Sequence, residues 1–316
     1  MIPSFALFGF EFERELGAGG FGTVSLFRKK GGSAKEYAIK HVCFQNIKGE
    51  ILRSGLLIKA EEAMAKAEIL MKRELDIHFL LEQLERQRQT EAWPFPFFYF
   101  ASIDTNTKKD YLFAMEFCEK GSLFDRLQKH IAKKTTMAEN EILRIFYALI
   151  KAIKILHDLS IAHRDISSRN IMFNQNDEPK LIDFGAGRII IEKQIPPSMI
   201  VGNPFYLPPE ADIPGFQYTD EIMMAGDIWE AGILVCEMID SPLTRLKSFQ
   251  IQQKNYTSFA SAPFSKQLKE LIPKLCQIDP LLRPKADSIL SLDIFKDYRV
   301  RFEKKDSLVK DAEIPQ

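Results

Sequence analysis

The chain has 316 residues, and its 43 lysines and arginines balance 43 aspartates and glutamates, so the formal charge at neutral pH is zero. That balance leaves no basic footprint for nucleic acid or an anionic membrane surface. Apolar residues at 46 % and charged residues at 27 % are ordinary for a globular chain, argue against disorder as the default and suit a sizeable core, either one large domain or two lobes about a shared cleft.

The opening stretch, MIPSFALFGFEFERE, is apolar but has no basic n-region and no small-residue cleavage site. It reads as a first strand rather than a signal peptide. Residues 8–45 alternate apolar and polar side chains around glycine-rich punctuation, which predicts three strands. Residues 57–88 are rich in Ala, Glu, Lys and Leu at helical spacing and predict one long helix. Two further β-rich runs follow, Phe97–Ile103 and Tyr111–Phe117, joined by Asp104–Asp110, whose composition suits a hairpin.

After Lys120–Gly121 the pattern turns helical. Thr136–Glu139 reads as a capping box in front of the periodic run Ile142, Ile145, Phe146, Leu149, Ile150, Ile153 and Leu156. Arg144, Lys151 and Lys154 interrupt that run, so it does not span a bilayer. Short β pieces at Ile171–Phe173 and Lys180–Ile182 precede a loop holding Pro196, Pro197, Pro204, Pro208 and Pro209. From Asp227 onward the pattern is mostly helical, and the charged tail after Phe302 frays. The expected architecture is α+β and bilobal. A small β-rich lobe with one main helix spans residues 1–117, a larger helical lobe 118–301 and a tail 302–316. Cys43, Cys118, Cys236 and Cys276 show no metal-type spacing and fit a reducing, cytoplasmic setting.

Four motifs carry chemistry. Gly17-x-Gly19-x-x-Gly22-x-Val24 lets backbone N–H groups come close to phosphate oxygens. Taken alone, this spacing equally suits a dinucleotide site or a flexible turn. The strand-like Thr23–Arg28 that follows disfavours a βαβ unit. Lys40, closing Tyr37-Ala38-Ile39-Lys40, is a candidate for phosphate binding and needs a carboxylate to hold it. Glu74, flanked by apolar neighbours, is the preferred partner, with Glu68 and Glu62 as competitors. His163-Arg164-Asp165-Ile166-Ser167-Ser168-Arg169-Asn170 and Asp183-Phe184-Gly185 place two acids and an amide on loops beside short strands. Such oxygen donors suit Mg²⁺, which keeps phosphate oxygens in its shell.

In this order the motifs resemble the eukaryotic protein-kinase family over roughly residues 8–300. Leu207-Pro208-Pro209-Glu210, Asp227-Ile228-Trp229-Glu230-Ala231-Gly232 and Arg283 extend the match, the last resembling the arginine that pairs with the platform glutamate. The resemblance implies ATP and Mg²⁺ as cofactors. Gly17, Gly19 and Gly22 would cover ATP, and Val24, Ala38 and Met172 would close on adenine. Met115 would stand as gatekeeper, with the backbone of Glu116 and Cys118 bonding the base. Lys40 and Glu74 would pair to orient phosphates, Asp165 would accept the substrate hydroxyl proton, and Asn170 and Asp183 would hold the metal ions.

Departures from the family pattern bear on specificity. Ser167 stands where serine/threonine kinases carry lysine. Arg169 stands where tyrosine kinases place arginine, and its fork could bridge to phosphate. Gly202-Asn203-Pro204 replaces G-T-P. The resemblance favours a serine/threonine kinase and leaves dual or tyrosine specificity open. A pseudokinase scaffold would predict loss of Lys40, Asp165, Asn170 or Asp183, and all four are present. A small-molecule kinase generally lacks the Gly202–Glu210 platform, so a protein substrate is expected. Ser198 is either a phosphorylation site pairing with Arg164 or a turn residue. Gln45–Trp93 either docks a regulatory partner or extends a helix.

Overall fold

The alternation read in residues 10–42 folds into β1 (Phe10–Gly19), β2 (Gly22–Lys29) and β3 (Glu36–Val42), consecutive antiparallel strands. The computed structural model describes residues 9–19, 22–31, 35–53, 59–88, 93–103, 110–190, 202–213, 215–242, 251–252 and 262–299. The expected 104–110 hairpin linker lies almost wholly outside these, as do Ser198 and the tail after residue 302. The chain divides into two compact units, Met1–Arg88 with Pro96–Glu119, and Gln89–Phe95 with Lys120–Gln316.

In the first unit, β4 (Phe98–Ile103) and β5 (Tyr111–Glu116) complete a five-stranded sheet in the order β1-β2-β3-β5-β4. Strand period two sorts the side chains. Phe10, Phe27, Ile39, Leu112 and Ala114 cluster on one face, while Val42, Phe98 and Phe113 meet helices on the other. Two helices cover that second face, α1 (Phe44–Arg53) and α2 (Ala60–Arg88). The sequence pattern predicts only the second. The start of α1 is fixed by buried Asp110, whose Oδ1 accepts the Phe44 N–H at 2.9 Å while Oδ2 meets His41. Ile47 and Ile51 of α1 pack with Ala63, Ala67 and Met71 of α2, so most of Gln45–Trp93 is core-packing helix. The buried stripe of α2 runs Ala63, Ala67, Met71, Glu74, Ile77, His78 and Leu81, a helical period that carries one carboxylate inward.

Gly22 serves the sheet itself. A Cβ there would sit 1.8 Å from the His41 carbonyl oxygen, so only glycine lets β2 pair with β3 at this point.

The second unit is built on α3 (Leu123–Lys133), α4 (Glu139–Asp158), α5 (Asp220–Ile239), α6 (Lys266–Leu275) and α7 (Ala286–Leu290). Two small ribbons join them. β6 (Ile161–Ala162) pairs with β9 (Arg188–Ile189), and β7 (Ile171–Phe173) with β8 (Pro179–Leu181). Residues 93–95 belong here rather than to the first unit because Leu181 N–H donates to Pro94 O (2.8 Å) and Lys180 Nζ to Trp93 O (2.6 Å). α5 runs through the core, with Trp229, Ile233, Leu234 and Val235 fully buried.

The capping box expected at Thr136–Glu139 is not formed. Ala138 is the N-cap of α4 without a side-chain bond, and Glu139 Oε2 instead accepts the Ser265 N–H at 2.8 Å. A capping box does open α3, where Ser122 and Asp125 bond each other's backbone N–H. Aspartate at the third helical position departs from the usual glutamate or glutamine and hid this signal.

The β7–β8 hairpin is clamped by charge. Asp177 accepts from both Arg126 on α3 and Arg144 on α4, and the Arg126 guanidinium lies 3.3 Å over the Phe173 ring. Burial raises the Asp177 carboxyl, but the bond and charge of Arg126, joined by Arg144, hold it below its ordinary value. A lowered folded-state value contributes stability above the unfolded value of about 3.9, and this is lost as pH falls through the folded one. Asp177→Asn is therefore expected to lower the melting temperature by roughly 2–4 °C near neutral pH. The gap to wild type should narrow as the pH falls below the unfolded carboxylate value of about 3.9 and through the folded one, which acid thermal melts would read.

Among the described residues no helix is long and apolar enough to cross a membrane.

Candidate functional site

In the first unit, Lys40 Nζ donates to Glu74 Oε1 at 2.6 Å, and both side chains are almost wholly buried. The inward stripe of α2 selects Glu74. Glu62 pairs with Lys66 (2.9 Å), and Glu68 is exposed. The sheet register places the other predicted residues around this pair. Val24 opposes Lys40, and Ala38, two residues along the strand, opposes Met115. Opposed residues share a face, so Val24, Ala38, Lys40 and Met115 line one side of the sheet.

A Cβ at Gly17 would meet nothing within 4 Å, so the backbone there is open to a ligand. Gly19 pairs with Gly22 at the end of the β1–β2 ladder, and residues 20–21 between them lie outside the described set. At the end of β5, the Glu116 N–H donates to Phe97 O at 2.8 Å, and Cys118 is buried just beyond.

In the second unit, the 163–170 loop has no strand ladder of its own, and two buried acids of α5 hold it. Asp227 accepts the N–H of His163 (2.9 Å) and of Arg164 (2.8 Å), and also meets His157 Nε2 at 2.9 Å. Glu230, one helical turn on, accepts the Ile166 N–H at 2.7 Å. Burial pushes the Glu230 carboxyl well up, with the Asp227 charge adding to it. The backbone on either side of Asp165 is thus fixed to the core. His163 completes the clamp: its Nε2–H donates to Ile182 O (3.1 Å), leaving Nδ1 to accept the Asp165 N–H (3.3 Å).

Asp165 has both carboxylate oxygens engaged. Oδ2 accepts from Asn170 Nδ2 at 2.8 Å, and Oδ1 accepts the Asn203 backbone N–H at 3.1 Å. That second bond depends on Gly202, at φ +102°, where a Cβ would stand 2.6 Å from Arg164 O. The Asn203 side chain turns away and accepts the Phe205 N–H. Burial raises the Asp165 carboxyl, and the Asp183 charge pushes the same way, against the bonds from Asn170 and Asn203. Arg164 (φ 68°) and Asp183 (φ 67°) both adopt the left-handed region, as Lys134, Ser160 and Asp177 do at helix ends and a turn of the same unit.

The donor set fits a hard cation. Asn170 commits its amide NH₂ to Asp165, so its carbonyl oxygen is the atom it can offer, and Asp183 brings a carboxylate close enough to Asp165 for mutual repulsion. Oxygen donors beside crowded negative charge suit Mg²⁺, whose remaining positions take water and phosphate oxygens. No cluster of three or more His, Cys, Asp or Glu forms a self-sufficient metal cage among the described residues.

The segment 202–210 docks on the same loop. Tyr206 is buried and its hydroxyl bonds Glu237 and Ser168. Glu210 makes a fork-to-fork pair with Arg283, at 2.7 and 2.6 Å, with both side chains out of solvent. Met172 lies in β7 opposite Lys180 and bridges Ser122. Arg169 is exposed, with its guanidinium carbon 3.8 Å over the Phe124 ring. Sequence reasoning did not assign roles to Glu230, His157 or the Asn203 amide. Glu230 had a legible signal, lying three residues after Asp227 and so on the same helix face.

The family profile described as Protein kinase domain matches residues 10–295. Over 298 residues the chain is 27 % identical to a Dictyostelium discoideum protein named "Probable serine/threonine-protein kinase nek2", covering 92 % of this chain and 63 % of that one. It is 28 % identical to human serine/threonine-protein kinase Nek5 over 88 % of this chain and 35 % of that protein. With the serine/threonine-protein kinase GIN4 of Saccharomyces cerevisiae the figures are 26 %, 90 % and 24 %. The chain thus spans less than two thirds of the length of each of these relatives.

Proposed function

The chain belongs to the protein kinase family, and from that premise we propose that it transfers the γ-phosphoryl group of ATP to a serine or threonine hydroxyl of a protein substrate. The observation that carries this reading is the state of Asp165: a desolvated carboxylate, anchored through both oxygens and through the amides around it. Such a group can take up a hydroxyl proton without first reorganising.

In the first unit, Lys40, held by Glu74, would meet the nucleotide phosphates. Gly17 and Gly19 would lie over them. Val24, Ala38 and Met115 would offer the base an apolar face, with the Glu116 and Cys118 backbone as its polar edge. In the second unit, Asp165 would orient the acceptor hydroxyl and receive its proton, and Met172 would contribute apolar surface to the base. Asn170 and Asp183 would hold Mg²⁺, which when bound neutralises phosphate charge. Little covalent work is left to the protein, so these residues contribute position and charge. The four free cysteines agree with a reducing compartment such as the cytoplasm.

Incubating the full chain with Mg-ATP and a degenerate peptide library, with Ser, Thr and Tyr acceptors scored separately, tests the reading. Labelling of serine and threonine is expected. Labelling confined to tyrosine would overturn the acceptor class, and no transfer to any acceptor would overturn the activity.

A further inference from the structure

Arg169 has no evident duty within the fold, yet it is held in place. It lies in the loop between Asp165 and Asn170, and its guanidinium lies over the Phe124 ring at 3.8 Å, a contact that steadies the planar head of an exposed side chain. The surrounding backbone is also fixed. Phe124 N–H donates to Ser168 O at 2.9 Å, and the Tyr206 hydroxyl accepts the Ser168 N–H at 3.2 Å. Arg169 therefore projects where the 163–170 loop, the start of α3 and the 202–210 platform meet.

Its own chain offers it no carboxylate at ion-pair distance among the described residues. Two acids are near enough to feel its charge, and both are engaged elsewhere. Asp125 accepts from the Ser122 N–H and hydroxyl, and Glu237 is buried against Tyr206. An exposed, pre-oriented cation beside the acceptor site is built to meet an anion brought from outside.

We propose that Arg169 is a specificity residue whose guanidinium pairs with an acidic side chain of the protein substrate, within about three residues of the phosphorylated hydroxyl, the roughly 10 Å of extended chain that an arginine reaching about 7 Å and an acidic side chain reaching about 3–4 Å span together. This rests on the phosphotransfer reading above and names its substrate class.

The test compares kcat/KM of the full chain for matched peptides carrying Glu, Gln or Lys at each position from three before to three after the acceptor. At one or more positions the wild type should favour Glu over Gln by roughly three- to tenfold and place Lys last. Arg169→Gln should collapse that spread, and Arg169→Glu should reverse it. Phe124→Leu removes the stack but keeps the charge, and should narrow the spread without reversing it. The ratios are insensitive to the amount of active enzyme, and a thermal melt of each variant checks folding. Equal use of the three peptides by the wild type would overturn the proposal. So would an Arg169→Gln variant that loses rate equally on all three, since that would assign Arg169 to the transferred phosphoryl group. Failure of the wild type to phosphorylate any peptide would instead overturn the kinase reading on which the proposal rests.

Discussion

Asp165→Asn should lower turnover by about 10²–10⁴-fold while the protein stays folded. The amide can still accept the Asn203 N–H through its oxygen, so the loop keeps that tie. On its other side an NH₂ would face the Asn170 NH₂, donor against donor, where a carboxylate now accepts. The substituted side chain cannot take up a proton. Stability should change little, because burial already disfavours the Asp165 charge and the substitution removes it. Turnover at saturating Mg-ATP and peptide, set beside urea melts, separates the two effects. A folded Asp165→Asn protein with wild-type turnover would end the assignment of Asp165.

The second large effect is expected at the buried Glu210–Arg283 pair. Arg283→Ala should cost about 3–5 kcal/mol of unfolding free energy, since it strands a buried carboxylate. Arg283 is wholly out of solvent, forked onto Glu210, with further bonds to the Gln277 and Ala225 carbonyls. Its removal leaves Glu210 charged with no cation. Removing both charges together, as Arg283→Met with Glu210→Gln, should recover part of the loss. Urea denaturation of the wild type and the two variants measures the pattern. A double variant less stable than Arg283→Ala would show that the fork acts through something other than the stranded charge.

Much of the fold was legible because its periodicities are strong. The β1–β5 strands fall within a few residues of the alternating runs, and α2 and α4 follow their apolar stripes. Helix α1 was not legible, because its start depends on Asp110, distant in sequence, accepting the Phe44 N–H. The capping box was misplaced, because Glu139 finds Ser265 more than a hundred residues away and so cannot turn back on its own helix. Both failures are tertiary contacts outweighing local pattern.

The candidate site divides in the same way. Lys40 and Glu74 could be paired from the sequence because one follows an apolar strand run and the other lies on an inward helical stripe, and the 2.6 Å bond selects Glu74 among three acids. The backbone bonds could not be read. Sequence comparison marks Asn203 as a side-chain departure, whereas the group that meets Asp165 is its main-chain N–H, which any residue but proline would supply. What the sequence does require there is the glycine before it.

Gly202 thereby acquires a meaning beyond its turn. Where a methyl group would meet the Arg164 carbonyl at 2.6 Å, the hydrogen of glycine lets the backbone settle and deliver the Asn203 amide to Asp165. Four residues on, the same stretch inserts the Tyr206 ring, and after four more it locks Glu210 to Arg283. The strip of chain proposed to seat the acceptor thus also supplies a hydrogen bond to Asp165, the carboxylate proposed to take up the acceptor's proton. Displacing the strip would withdraw that hydrogen bond from Asp165 together with the Tyr206 and Glu210 anchors.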